Sequence, residues 1–416
     1  MINRTKRLIN SPFFIGSTIM IIGSNLTNFI NYIYHSLIGR LLNDPASYGV
    51  LASLISLLGI LGLIPSFLGL VVVRLTAQAK SDQEIKSLIY WLNRKLFILG
   101  IIVFFLIVII SKQLSTYLNI SNNLLIILVG AIFLFSLQSF FYRSVLQGLL
   151  RFKNYVISQI SENIVKLILG ILLVYLGFSV FGAILGILIA AIFGWYITRN
   201  YILDLFTPIK YQPPNMLKIL KFSLPVFAQS IASVSMYSSD LILVKHFFSS
   251  YEAGLYASLS ILGRIIFFAS GPISSVMFPL VSKKSSKGEK YNKVFIYSLL
   301  VTVFFSSLIL LIYGFFPDSM IIALFGSKYL AGAYLLLKFG VFMSLFTTSN
   351  LFITFYLSIG KTKYVYLQLL AAIAQIIGIS LFHNTLESVI MVSILMSAIL
   401  FVCLSFLYLV NFRNEK

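Results

Sequence analysis

Four ionisable residues stand inside stretches that are otherwise almost wholly apolar: Glu162, Lys166, Asp240 and Arg264. A charge in hydrocarbon is costly, so each must face a partner, a water-filled cavity or a ligand. Glu162 and Lys166 are four residues apart, hence on one helix face, in the order that favours an ion pair. Two readings fit them. Either the pair neutralises itself inside a bundle, or Lys166 meets a phosphate or sugar while Glu162 tunes it or carries a proton. Arg264 presents a planar fork of donors suited to a diphosphate or an acidic sugar. The alternative is a structural ion pair with Asp240. Asp240 suits proton or sodium coupling, or hydrogen bonding to backbone near an outer gate.

Arg74, Arg143 and Lys245 lie nearer the ends of their stretches. Two deep cations and two deep anions cancel, so a cationic cavity needs one of these three to turn inward. Asn25, Asn28 and Asn31 recur every third residue and make a polar ridge, suited to sugar hydroxyls or to helix–helix hydrogen bonds. The candidate substrate-binding residues are Arg264, Lys166, Arg143, Arg74 and Asn28, and the candidate coupling or gating residues are Asp240 and Glu162.

Other chemistry has little support. The one cysteine, Cys403, and three scattered histidines, His35, His246 and His383, make no metal-ligand or disulfide pattern. HExxH, CxxC, P-loop and GxSxG patterns are absent from the sequence. The expectation is a protein that is not an enzyme and holds no metal or cofactor, with a proton or sodium gradient as the candidate driving force.

The elements that position these residues follow from composition. Of 416 residues, 59% are hydrophobic and 10% charged, where a soluble domain carries about 25% charged residues. Mean hydropathy is +0.99, so the solvent for most of the chain is lipid. A spanning helix needs roughly 20 apolar residues. Twelve such stretches are expected, at 12–38, 47–75, 90–111, 123–147, 154–177, 180–205, 217–247, 254–281, 291–315, 331–357, 363–382 and 387–410. The weakest boundary is "GFSVFG" between the fifth and sixth, a tight hairpin. Arg4, Lys6 and Arg7 precede the first stretch, which is long enough to remain as a span rather than a cleaved signal. With the N-terminus inside, about 24 of the 31 Lys and Arg fall on the inner side. Both termini are therefore expected on the cytoplasmic side of the membrane. This bias, together with an anionic inner leaflet, accounts for the net charge of +20 without nucleic acid.

One phrase occurs almost twice. "SYGVLASLISLLG" (47–59) and "EAGLYASLSILG" (252–263) align Gly49 with Gly254, Ala52 with Ala257, Ser53 with Ser258 and Leu54 with Leu259. Each copy follows an odd-numbered span on the outer side, six spans apart. That is a parallel repeat, related by an axis along the membrane normal, with substrate expected between two rocking bundles. The halves are expected at 1–207 and 208–416, each with a proline in its second span, Pro65 and Pro272.

"YSSDLILVKHFFS" followed by "YEAGLYASLSILGRI" resembles the oligosaccharide flippase branch of the multidrug/oligosaccharidyl-lipid/polysaccharide exporter superfamily, including Wzx-like proteins. The carrying residues are Asp240, then Gly254, Leu255, Tyr256 and Ala257. The resemblance implies an all-α fold of twelve transmembrane helices in two pseudo-symmetric six-helix bundles, like the multidrug (MATE) transporters. It implies a polyprenyl-diphosphate-linked oligosaccharide as substrate, flipped by alternating access for surface polysaccharide such as O-antigen or capsule. Membrane lipids, a polysaccharide polymerase and chain-length proteins are the implied partners. A cation-coupled multidrug exporter of the same superfamily is the alternative, and a lipid II flippase a further one.

Overall fold

The computed structural model describes residues 12–42, 44–79, 81–206 and 216–413. Within them every regular element is helical. They are α1 (Pro12–Leu41), α2 (Pro45–Leu61), α3 (Leu63–Gln78), α4 (Asp82–Tyr117), α5 (Leu124–Gly148), α6 (Phe152–Leu173), α7 (Ser179–Asn200), α8 (Met216–Phe247), α9 (Ser250–Ser286), α10 (Asn292–Phe315), α11 (Pro317–Leu324), α12 (Leu336–Ser358), α13 (Val365–Leu381) and α14 (Leu386–Arg413). Nine stretches among the described residues are long and apolar enough to cross a membrane. One of them, Phe152–Asn200, holds both α6 and α7. The long helices α1 and α8 border undescribed residues and complete an arrangement that accommodates twelve crossings.

The outward faces suit hydrocarbon. On α10, Leu300, Phe304, Leu308 and Leu311 all stand exposed along one face, a patch that water would not tolerate and lipid does. Several hydroxyls inside the spans donate to the carbonyl one turn back, as in Thr76 to Val72 (2.8 Å), Ser144 to Phe140 (2.8 Å) and Thr198 to Gly194 (2.5 Å).

Two compact units emerge, one formed by α1 with Leu61–Ser223, the other by Leu42–Ile60 with Leu224 onward. These bounds differ from the halves 1–207 and 208–416 chiefly because α2 packs with the second unit. The second span is also not one helix. It divides into α2 and α3 at Gly62. Pro65 has no N–H to give the Leu61 carbonyl, so the ladder breaks there. It resumes with Ser66, whose N–H and hydroxyl both reach the Gly62 carbonyl, at 3.2 and 2.8 Å.

In the first unit, α6 and α7 form the tight hairpin expected at "GFSVFG". The chain reverses through Gly177 (φ +92°) and Ser179 (φ +48°). A side chain at Gly177 would meet nothing within 4 Å, so glycine serves the backbone angle there, not space. Below the turn the two backbones nearly touch, since a Cβ on Gly186 would lie 2.7 Å from the Gly170 nitrogen. Tyr34 of α1 fills the same junction, fully buried, its hydroxyl 3.3 Å from the Ala183 carbonyl.

In the second unit, Asp44 caps α2 by accepting from the Ser47 N–H at 2.6 Å. Ser249 and Glu252 cap α9 reciprocally. The two copies of the repeated phrase meet each other here. A Cβ on Gly49 would lie 2.6 Å from the Gly254 nitrogen, and one on Gly254 would collide with the Pro45 carbonyl. Small residues let the two backbones touch. Tyr48 anchors the same end of α2 against Phe325 and Tyr329. An amide ladder ties α8 to α12 and α13: Gln229 to Thr354 (3.3 Å), Ser233 to Asn350 (3.0 Å), Gln368 to Ser233 (3.1 Å) and Gln375 to the Met236 carbonyl (3.1 Å). The sequence analysis did not single these amides out.

Candidate functional site

Each unit carries its own group of ionisable residues inside its spans. In the first unit the face of α6 presents Ser158, Glu162 and Lys166, spaced four apart. Glu162 is not paired with Lys166. It pairs with Arg143, which reaches across from α5. Arg143 also donates from Nε to the Ser158 hydroxyl (3.1 Å) and from Nη2 to the Ser158 carbonyl (3.2 Å). Gly194 of α7 leaves the room that the carboxylate occupies, because a Cβ there would collide with it.

Lys166 turns toward α1 instead. Its ammonium donates to the Asn31 side-chain oxygen and lies 4.9 Å from the centre of the Tyr34 ring. Asn31 in turn donates to the Thr27 carbonyl at 3.1 Å. Among the described residues no carboxylate lies within ion-pair distance of Lys166. Asn28 sits half-buried on the same helix, and Asn25 is exposed. The Arg74 side chain lies outside the described residues.

In the second unit the expected Arg264–Asp240 pair does not form. Asp240, 1% exposed, accepts from the Tyr256 hydroxyl at 2.8 Å and from the Leu241 N–H at 2.8 Å. Arg264 donates from Nη2 to the Tyr237 carbonyl (2.7 Å) and lies 5.3 Å from the centre of that tyrosine's ring. Its Nε is buried and unpartnered. Tyr237 belongs to an aromatic group with Phe267 and Phe346. Lys245 is fully buried at the end of α8 and donates to the Ser250 hydroxyl at 2.6 Å.

The charges therefore do not cancel as the sequence suggested. Glu162 is engaged by Arg143, and Asp240 by Tyr256. Lys166 and Arg264 are held by neutral oxygens and aromatic rings and retain donors for an anion. A structural role for Asp240 has a measurable consequence. Tyr256→Phe leaves a buried carboxylate oxygen short of a donor and should destabilise the protein by about 1–3 kcal/mol. A thermal melt indistinguishable from the unchanged protein would contradict that role.

Sequence comparison then places the chain. It matches a polysaccharide biosynthesis protein family over residues 37–333. The chain belongs to that family. An uncharacterized membrane protein of Methanocaldococcus jannaschii is 30% identical over 224 residues, covering 50% of this chain and 52% of that protein. The chain thus spans about half the length of that relative. Solved structures share the fold across nearly the whole chain. An inward-facing multidrug resistance MATE family transporter of the MOP superfamily matches with TM-score 0.76 and 13% identity, over 93% of this chain and 97% of that one. Lipid II flippase MurJ in an inward closed conformation matches with TM-score 0.69 and 16% identity, over 93% and 86%. The MATE multidrug transporter DinF-BH matches with TM-score 0.68 and 16% identity, over 98% and 96%. Family and fold agree with the sequence resemblance: the chain is a multi-pass membrane protein of the polysaccharide biosynthesis family, with a fold shared with these transporters.

Proposed function

We propose that this polysaccharide biosynthesis family member flips polyprenyl-diphosphate-linked oligosaccharide repeat units across a bacterial cytoplasmic membrane by alternating access, with both termini in the cytoplasm. One observation supports this beyond the family match. Each unit holds a cation inside its spans, Lys166 or Arg264, with no carboxylate within ion-pair distance among the described residues, while the two deep carboxylates are engaged elsewhere. A deep cation is retained against its cost where an anion needs it, and a prenyl diphosphate brings that anion. Arg264 supplies a fork for phosphate oxygens. The Tyr237, Phe267 and Phe346 rings beside it offer faces for sugar stacking, and Asn28 and the amide ladder offer donors and acceptors for hydroxyls. No bond is broken in this process. A proton or sodium gradient drives it, with Glu162 the candidate proton carrier. A cation-coupled drug exporter would need the reverse balance, free carboxylates facing a cationic substrate.

The test is a strain lacking the gene. It should lose surface polysaccharide, accumulate cytoplasm-facing lipid-linked repeat units and keep its drug sensitivity unchanged. Intact polysaccharide with raised drug sensitivity would transfer the function to multidrug export.

A further inference from the structure

Two turns, one in each unit, repeat a piece of chemistry that the flippase reading leaves unused. We infer that each is a binding site for the phosphate headgroup of an anionic phospholipid in the inner leaflet, with Lys153 the headgroup ligand in the first unit and Lys363 in the second.

The turns are alike in backbone. α5 ends with the Leu149 N–H donating to the Val145 carbonyl (2.9 Å), Leu150 to Gln147 (3.1 Å) and Arg151 to Leu146 (2.8 Å). α12 ends with Ile359 donating to Phe355 (3.3 Å), Gly360 to Leu357 (3.0 Å) and Lys361 to Tyr356 (2.9 Å). Leu150 (φ +58°) and Gly360 (φ +77°) make the same left-handed step, one that a leucine rarely accepts. The next residue is Arg151 (φ −81°, ψ 54°) in one turn and Lys361 (φ −82°, ψ 66°) in the other. Two positions further on stand Lys153 and Lys363. The residues around these cations differ, Phe152 against Thr362 and Tyr155 against Val365. The charge bias across the membrane requires cations on this side. It does not require them at the same two positions of the same turn.

The surroundings choose the ligand. In the expected count the turns follow the fourth and tenth spans, on the side that the Lys and Arg bias assigns to the cytoplasm. Aromatic side chains of the kind that settle at headgroup level lie close by. Tyr155 and Trp195 pack on the same core cluster as Leu149, and Tyr356 lies against Tyr364 with ring centres 4.1 Å apart. Leu150 is 67% exposed next to the cations, an apolar side chain suited to the acyl boundary. Lys153 and Lys363 are exposed, and among the described residues neither forms an ion pair. Their stems can lie along apolar surface while the ammonium reaches the headgroup plane. Lys363 lies 5.4 Å from the centre of the Tyr364 ring, a contact that leaves its donors for an anion. Arg151 is already held by Asp204 (3.5 Å) and the Tyr201 carbonyl (3.2 Å), and Lys361 is half-buried. Each turn thus presents one exposed ammonium, which matches the single charge of a phosphodiester better than the two or more of a prenyl diphosphate.

The test is native mass spectrometry of the full chain in detergent, with phosphatidylglycerol and phosphatidylcholine titrated separately. The unchanged protein should take up phosphatidylglycerol preferentially, at two sites. Lys153→Gln and Lys363→Gln should each weaken one site about fivefold, and the double variant should show no preference between the two lipids. Lys153→Arg should keep its site, because it keeps the charge. Lys112→Gln removes an exposed cation near the far end of α4 and should bind like the unchanged protein. A preference that survives in the double variant, or that falls as much with Lys112→Gln, would overturn the assignment. Farnesyl diphosphate added at equal concentration should not displace the phospholipid. Displacement would make the turns docking points for the diphosphate of a substrate, and the phospholipid assignment would be wrong.

Discussion

Replacing Arg264 with glutamine is expected to reduce polysaccharide export about tenfold or more while leaving membrane insertion intact. The guanidinium has one bond to the Tyr237 carbonyl and a buried, unpartnered Nε. Each charge-assisted hydrogen bond it forms with a phosphate is worth about 1.5–3 kcal/mol, and 1.4 kcal/mol is a factor of about ten. Lys166→Gln should act in the same direction through the ammonium now held by Asn31 and Tyr34. A double variant should export less than either single one, because the two residues belong to different compact units and share no partner. Arg264→Lys separates charge from geometry: partial recovery indicates charge alone, and continued loss indicates the fork. The measurement is surface polysaccharide beside the pool of lipid-linked repeat units, with protein abundance checked by immunoblot. Normal export by both single variants at normal abundance would remove Arg264 and Lys166 from the transport path.

The second large effect concerns the crossing of α2 and α9. Gly254→Val should destabilise the protein by about 3 kcal/mol, the upper end of the usual cost of overpacking, because the obstacle is backbone. The added Cβ collides with the Pro45 carbonyl, and neither helix can relax by a change of rotamer. Gly271→Ala is the matched control: a Cβ there meets nothing within 4 Å, and its melt should stay within about 1 kcal/mol, the scale of a Gly-to-Ala change in a helix. Thermal unfolding in a fixed detergent decides between them. Equal melting temperatures for the two variants would show that the glycine contact carries no stability.

The sequence made the helices readable because lipid leaves little choice. Backbone groups in hydrocarbon must pair within the segment, so apolar length and its polar punctuation marked most spans to within about five residues, while α4, at Asp82–Tyr117, overruns the expected 90–111 at both ends. The α6–α7 hairpin was legible from Gly177 for the same reason. The division of the second span was less so. Pro65 announced a disturbance, but bent and broken spans leave the same trace in sequence. Side-chain partners divided along a clear line. Shared helix faces followed spacing, as with Glu162 and Lys166 four apart, but a shared face did not make a pair of them. Contacts between helices did not follow spacing, since nothing in α6 indicates that Arg143 of α5 reaches Glu162, or that Tyr256 rather than Arg264 reaches Asp240. Those depend on helix rotation and packing, which the weakly amphipathic spans leave unspecified. The repeated phrase was visible in sequence as a likeness. Its local use, two glycines set against each other, became visible only with the fold.

The proposed function is to move a lipid-linked oligosaccharide while the deep cations Lys166 and Arg264 hold its diphosphate. The most direct measurement is flipping by the purified protein in proteoliposomes, using a polyprenyl-diphosphate oligosaccharide whose sugar becomes accessible to an impermeant glycan-cleaving enzyme only on the far leaflet. Protein-dependent exposure of the sugar is expected, falling about tenfold with Arg264→Gln. Exposure no faster than in protein-free liposomes, or equally fast with both Lys166 and Arg264 replaced by glutamine, would contradict it.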